Sequence, residues 1–174
     1  MLPKFKYHPD PIATGSVKES DEICDCCNQK RGFVYTSTLY SAEEVGTICP
    51  WCIADGSAAK KYDGMFSDDY PLVDEGLSED IINEVVHRTP GFSSWQQEVW
   101  LACCDDACAY HGDVSKQELN EMSLNSFKDA FEDQGITEEF FEKFKTSYKP
   151  GGNPAIYKWV CLKCGKTKYY ADYA

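Results

Sequence analysis

Cysteines at short, paired spacing are the residues in this chain with chemistry to offer. Cys24-Asp-Cys-Cys27 is followed by Cys49-Pro-Trp-Cys52, and Cys161-Leu-Lys-Cys164 lies near the other end. A Cys-x-x-Cys turn places two thiolates on one concave loop about 3–4 Å apart, and two such loops close a tetrahedral cage around Zn²⁺. Cys24, Cys27, Cys49 and Cys52 make one full set. For Cys161 and Cys164 the partners must come from Cys103, Cys104, Cys108 and His111. Cys104 and Cys108 are expected, because the short acidic loop between them can bring both sulfurs to one ion. Cys103 is expected to face the opposite side of an arriving strand. Cys26, inside the first knuckle, is expected to point away as a plain thiol. Two structural zinc ions per chain follow, in closed sites with no open position for a substrate.

Other chemistry is weighed against this. Cys49-Pro-Trp-Cys52 also has the form of a thioredoxin-like redox centre, but that needs a βαβ setting the flanking pattern lacks. Of the three histidines, His8 sits in a Pro-rich lead-in and His87 at a helix end. Only His111 is near a possible nucleophile. A Cys103–His111 pair is the enzymatic alternative, without an identifiable third residue to orient it. No Walker loop, dinucleotide fingerprint, nucleophile elbow or His-Glu-x-x-His occurs, so the expectation is a non-enzymatic protein. A third class is nucleic-acid binding through the C-terminal hairpin. There Lys158, Lys163, Lys166 and Lys168 interleave with Trp159, Tyr169 and Tyr170, as in surfaces that stack single-stranded bases.

The elements that must position these residues read as follows. Residues 1–23 are an extended lead-in with Phe5 and Tyr7 as anchors. Phe33–Tyr40 reads as a strand and Val45–Ile48 as its return, a hairpin between two knuckles as in a zinc ribbon. Ile53–Tyr62 reads as a short helix. Ser78 caps a second helix with Ile81, Ile82, Val85 and Val86 on its apolar stripe, ended by Thr89-Pro90-Gly91. Trp95–Leu101 reads as a strand leading into Cys103. Ser115-Lys-Gln-Glu118 is a capping box. Further helices are expected at about Ser126–Gln134 and after Thr137, the latter burying Phe140, Phe141, Phe144 and Tyr148. Ile156–Leu162 and Lys166–Tyr170 flank the last knuckle as a second ribbon hairpin. The expected fold is α+β, with zinc-ribbon-like hairpins pinned by two four-cysteine zinc sites and about four inserted helices. One domain over 1–174 is expected. It comprises an N-terminal ribbon at about 20–62, an acidic helical insert at about 75–148, and a C-terminal knuckle hairpin at about 155–172 packing with 98–110.

Charge divides the chain unevenly. Residues 63–139 hold 3 basic and 19 acidic side chains, a net of −16, while the whole chain of 174 residues carries −12. Each zinc held by four thiolates adds −2, so two filled sites bring the folded protein near −16. Such a middle segment repels phosphate backbones and attracts basic partners at long range. No apolar run approaches the roughly 18 residues that span a bilayer. The first residues carry no apolar segment of a signal peptide. A cytoplasmic location, no membrane association and a basic protein partner are therefore expected.

A wider pattern accompanies the knuckles. Pro9-Asp-Pro-Ile-Ala-Thr-Gly15, Cys24-Asp-Cys-Cys27, Cys49-Pro-Trp-Cys-Ile-Ala-Asp-Gly56, Arg88-Thr-Pro-Gly91, Trp95-Gln-Gln-Glu98 and Trp100 occur in order. Together with the last knuckle they resemble the CbrC family of bacterial proteins. In that family the segment matching Cys103-Cys-Asp-Asp-Ala-Cys108 commonly reads His-Cys-Gly-Asp-x-Cys. The resemblance thus implies Cys104 and Cys108 as the matching positions and Cys103 as a departure. It also implies a setting of tolerance to a nuclease colicin, in which the basic partner would be a nuclease toxin blocked by the acidic surface.

Overall fold

The computed structural model describes residues 1–132 and 135–174. Its fold is α+β, with two small antiparallel sheets and, among the described residues, seven helices rather than about four. Near the N-terminus, β1 (Val17–Glu19) pairs with β2 (Phe33–Tyr35) in the register Val17↔Tyr35. The expected strand to Tyr40 stops at Tyr35, whose N–H donates to the Ile48 carbonyl at 2.8 Å. The expected return strand at Val45–Ile48 does not form. Asp25 captures that segment instead. Its carboxylate accepts from Thr47 N–H at 2.8 Å and its own N–H donates to the Thr47 carbonyl at 2.8 Å. The hairpin partner of β2 is therefore the lead-in. Pro50, pre-set for a first helical turn, opens α1 (Pro50–Ala54), and α2 (Ser57–Tyr62) follows. The single helix expected here is broken at Gly56, where φ is 76°.

Next come α3 (Tyr70–Asp74), which the sequence pattern does not suggest, and α4 (Glu79–Arg88) with Val85 and Val86 buried. Trp95–Leu101 is not a strand. The buried Asp172 carboxylate accepts the amides of Trp95 and, at 3.3 Å, Gln96, so a side chain satisfies donors that a sheet neighbour would otherwise take. The strand lies farther on, as β3 (Ala109–Asp113).

The remaining helices are α5 (Lys116–Glu121), α6 (Leu124–Ala130) and α7 (Glu138–Ser147). The Ser115 capping box forms with both of its hydrogen bonds, and Thr137 caps α7. Helix α6 begins earlier than expected because Ser123, not a later residue, accepts from the Ser126 amide. Its expected end at Gln134 lies outside the described residues. β4 (Ala155–Val160) and β5 (Thr167–Asp172) form the expected C-terminal hairpin, and β3 joins β4 to give the order β3-β4-β5. One face of this sheet carries an aromatic cluster in which Phe92 stacks on Tyr110 at 4.2 Å and Trp100 meets Trp159 at 4.9 Å. Ile156 and Ala171 turn the other way, onto Phe127, Phe141 and Phe144 of α6 and α7. Phe140, expected in that core, is 45% exposed. The alternation of β4 thus separates two cores, with a third around the first thiol group.

Candidate metal centres

The first knuckle turns sharply where Asn28 adopts φ 54°, its N–H reaching the Cys24 carbonyl at 2.7 Å. Asn tolerates this left-handed conformation better than most residues. The second half of the site is the entrance to α1, with Cys49 as N-cap and Cys52 in the first turn. These loops bring Cys24, Cys27, Cys49 and Cys52 together with all four sulfurs within 4.8 Å of one another. Sulfur–sulfur distances are 3.9 Å for Cys24–Cys52, 3.9 Å for Cys27–Cys49 and 3.6 Å for Cys49–Cys52. A tetrahedral ion with bonds of about 2.3 Å requires edges of about 3.8 Å. The donor set fits zinc. Cys26 points elsewhere, as expected, its sulfur 3.6 Å from the Ser57 hydroxyl.

The second group is Cys103, Cys104, Cys161 and Cys164, again with all sulfurs within 4.8 Å. Cys103 lies 3.6 Å from Cys104 and 3.9 Å from Cys164. Cys103 thus occupies the place expected for Cys108, and the physical reason is a turn. Cys104 has φ 56° and Asp105 φ 54°, both left-handed, as in the two central residues of a type I′ reversal. Cys103 N–H donates to the Asp106 carbonyl at 2.9 Å, and Asp106 N–H donates back at 3.3 Å. Strand alternation does not apply inside such a turn, so both thiols reach one side. The chain then runs back, with an isolated bridge Ala102↔Ala107. It carries Cys108 into the aromatic core, where its carbonyl accepts from Trp100 Nε1 at 2.9 Å and burial pushes its thiol up to about 12.

Two features hold this turn that motif spacing could not disclose. The buried Asp106 carboxylate accepts from the Tyr7 hydroxyl at 2.6 Å, from Ala107 N–H at 2.9 Å and from Lys6 Nζ at 3.1 Å. Burial alone would raise its carboxyl; these donors outweigh it and hold it below the ordinary range. Lys163, within the last knuckle, donates to the Cys104 carbonyl at 2.9 Å and the Asp105 carbonyl at 3.2 Å. The knuckle itself closes through Gly165, at φ 72°, whose N–H donates to the Cys161 carbonyl at 2.9 Å.

The two groups differ in setting. Cys24, Cys49 and Cys52 are buried, whereas Cys104 and Cys164 are exposed. Cys27 and Cys161 are shifted down, while Cys49, Cys52, Cys103 and Cys104 are shifted up. Backbone hydrogen bonding from Cys164, against some desolvation, lowers Cys161 to about 6, while hydrogen bonding to Cys103 raises Cys104 to about 12. In the buried group, desolvation pushes Cys27 up, but hydrogen bonds from Cys52, Gln29, Cys24 and Arg31 bring it to about 7. Burial raises Cys49 to about 11. A metal entering either group displaces the protons its thiols hold.

Residues considered for other chemistry fall elsewhere. His8 is buried, with Nδ1 2.7 Å from the Pro90 carbonyl and Nε2 2.6 Å from the Thr14 hydroxyl. A carbonyl only accepts, so Nδ1 carries a proton. His87 lies 3.1 Å from the Asn83 side chain. Among the described residues no hydrogen bond joins His111 to Cys103, whose neighbours are the other thiols. In the C-terminal hairpin Trp159 is fully buried, Lys158 pairs with Glu118, and Lys168 donates to the Ala102 carbonyl at 2.8 Å. Lys158, Lys163, Lys168 and Trp159 are thus occupied in holding the sheet and the turn. No helix among the described residues is long and apolar enough to cross a membrane.

Against known proteins, residues 2–173 match the family described as an uncharacterised protein family, UPF0167. A UPF0167 protein of Pseudomonas aeruginosa is 49% identical over 174 residues, covering 99% of this chain and 97% of the relative. A UPF0167 protein of Mycobacterium bovis is 40% identical over 176 residues, covering 99% of this chain and 94% of the relative. No solved structure matches. These findings overturn the resemblance to the CbrC family: the matching family and its relatives carry the UPF0167 description, and the colicin setting goes with the discarded name.

Proposed function

Because the chain belongs to the uncharacterised protein family UPF0167, its function must be argued from its own surfaces, and we propose a zinc-stabilised interaction protein that docks a basic protein partner. Cys24, Cys27, Cys49 and Cys52 hold one ion; Cys103, Cys104, Cys161 and Cys164 hold the other. Bound zinc supplies a cross-link between distant chain segments, in the manner of closed four-thiolate sites. The ribbon-like knuckles then serve the fold, not a reaction. A reducing cytoplasm is the compartment in which such thiols stay available.

The observation that carries the docking reading is the exposed edge formed by α3 and the start of α4. Asp74, Glu75, Glu79 and Asp80 are exposed there, beside Tyr70 at 67% and Val73 at 53% exposure. Glu79 and Asp80 also complement the positive end of α4. Asp74 and Glu75 have no such use. An apolar anchor rimmed by one sign of charge suits a partner surface of opposite sign, and long-range attraction brings it in.

Pull-down from a bacterial lysate at low and high salt tests this, using the wild type and an Asp74→Lys/Glu75→Lys variant. A basic protein held at low salt, released at high salt and lost by the variant is expected, since exposed charges are screened beyond about 10 Å at 0.1 M salt. Retention of nothing basic at low salt sinks the docking reading. Elemental analysis of the same preparation is expected to find about two zinc ions per chain.

A further inference from the structure

A cavity of about 330 Å³ lies at the end of the three-stranded sheet opposite the metal turn, between β3, β4 and the 92–95 linker. Its volume is within the range of small-molecule sites. Phe92, Trp95, Tyr110 and Tyr157 supply aromatic walls, and Asp113 is the one ionisable carboxyl among the lining residues. No lysine, arginine or histidine lines it among the described residues.

Asp113 owes its place to a fault in the sheet. Tyr110 pairs with Trp159, yet Asp113 pairs with Tyr157, so β3 spends three residues where β4 spends two. The extra residue makes a bulge, a device that re-aims a side chain. Gly112 within it has φ 82°, and a Cβ there would come to 3.1 Å from Thr14. The result is a carboxylate whose Oδ1 is buried without a hydrogen-bond partner among the described residues. Burial outweighs the nearby Gly151 backbone and lifts its carboxyl above the ordinary range. Asp113 is thus a carboxylate in the cavity wall with no basic side chain among the described lining residues to balance it.

We infer that this cavity binds a small organic ammonium ion, its head on Asp113 and its apolar stem against the aromatic wall. Ring faces attract cations and the carboxylate supplies the counter-charge, a combination that favours an ammonium over a neutral molecule of equal shape. A bare metal ion would find one carboxylate and rings in place of the several oxygens it needs. The cavity shares no lining residue with the metal centres or with the acidic edge.

The test uses the zinc-loaded full chain, n-butylammonium as probe and 1-butanol as its neutral isostere. Calorimetry gives affinities, and the indole N–H signals of Trp95 and Trp51 report location. Saturable binding of the ammonium is expected to move the Trp95 signal and leave Trp51 in place. Affinity is expected to be at least tenfold weaker for 1-butanol and for the near-isosteric Asp113→Asn. Trp95→Ala removes a half-exposed ring from outside the core and is expected to weaken binding as well. Absence of saturation by about 10 mM, equal binding of alcohol and ammonium, or unchanged affinity in a folded Asp113→Asn or Trp95→Ala would overturn the inference.

Discussion

A single buried imidazole gives the molecule a measurable pH response. Burial pulls His8 down to about 4 against the opposing pull of its Pro90 contact and of Asp10, whereas an unfolded histidine titrates near 6.5. Between those values the unfolded chain takes up a proton that the folded chain refuses, so stability falls as pH drops through the window. Denaturant unfolding of the wild type and of His8→Asn, each at pH 6.5 and pH 5, isolates the effect. The wild type is expected to lose about 1.5 kcal/mol more than the variant over that interval. Equal losses would mean that His8 is protonated in the fold. At this same scale the sequence is informative about thiols and silent about their supports. Cys24, Cys27, Cys49, Cys52, Cys161 and Cys164 are legible because a knuckle is local. Asp106 and Asp113 are not, because their roles arise from Tyr7, 99 residues away in the chain, and from a bulge that pairing alone creates.

Between elements, the reversal at Cys104 and Asp105 decides which thiols face an ion. Reading 103–108 as an arriving strand and a loop assigns Cys108; a left-handed turn of non-glycine residues assigns Cys103. Nothing in Cys-Cys-Asp-Asp resembles the Asn-Gly signature of such turns, which is why spacing misleads. Substitution separates the two. In competition with a chelator, Cys103→Ser is expected to retain about one zinc per chain and Cys108→Ala about two. The reverse result would restore Cys108 as the ligand. Elements with self-contained signals are legible: the capping box at Ser115 and the hairpin around Cys161 occur where the pattern puts them. Trp95–Leu101 is not, since Asp172 satisfies its amides from a distance.

Over the molecule as a whole, the unequal exposure of the two thiol groups implies two stages of metal loss. A soluble chelator reaches Cys104 and Cys164 directly, while Cys24, Cys49 and Cys52 open only when the surrounding core does. Zinc release followed with a colorimetric chelator is expected to show one fast and one slow equivalent, the fast one abolished by Cys164→Ser. A single phase carrying both ions would contradict this. Asp172, in turn, ties the last strand to a distant linker. Its carboxylate receives the Trp95 and Gln96 amides and, at 3.3 Å, the Tyr157 hydroxyl. Trimming the protein back past this one side chain would therefore slacken the rim of the chamber that Trp95 and Tyr157 line. Anyone preparing shortened versions for crystals or assays should keep it, and should set any affinity handle well clear of β5.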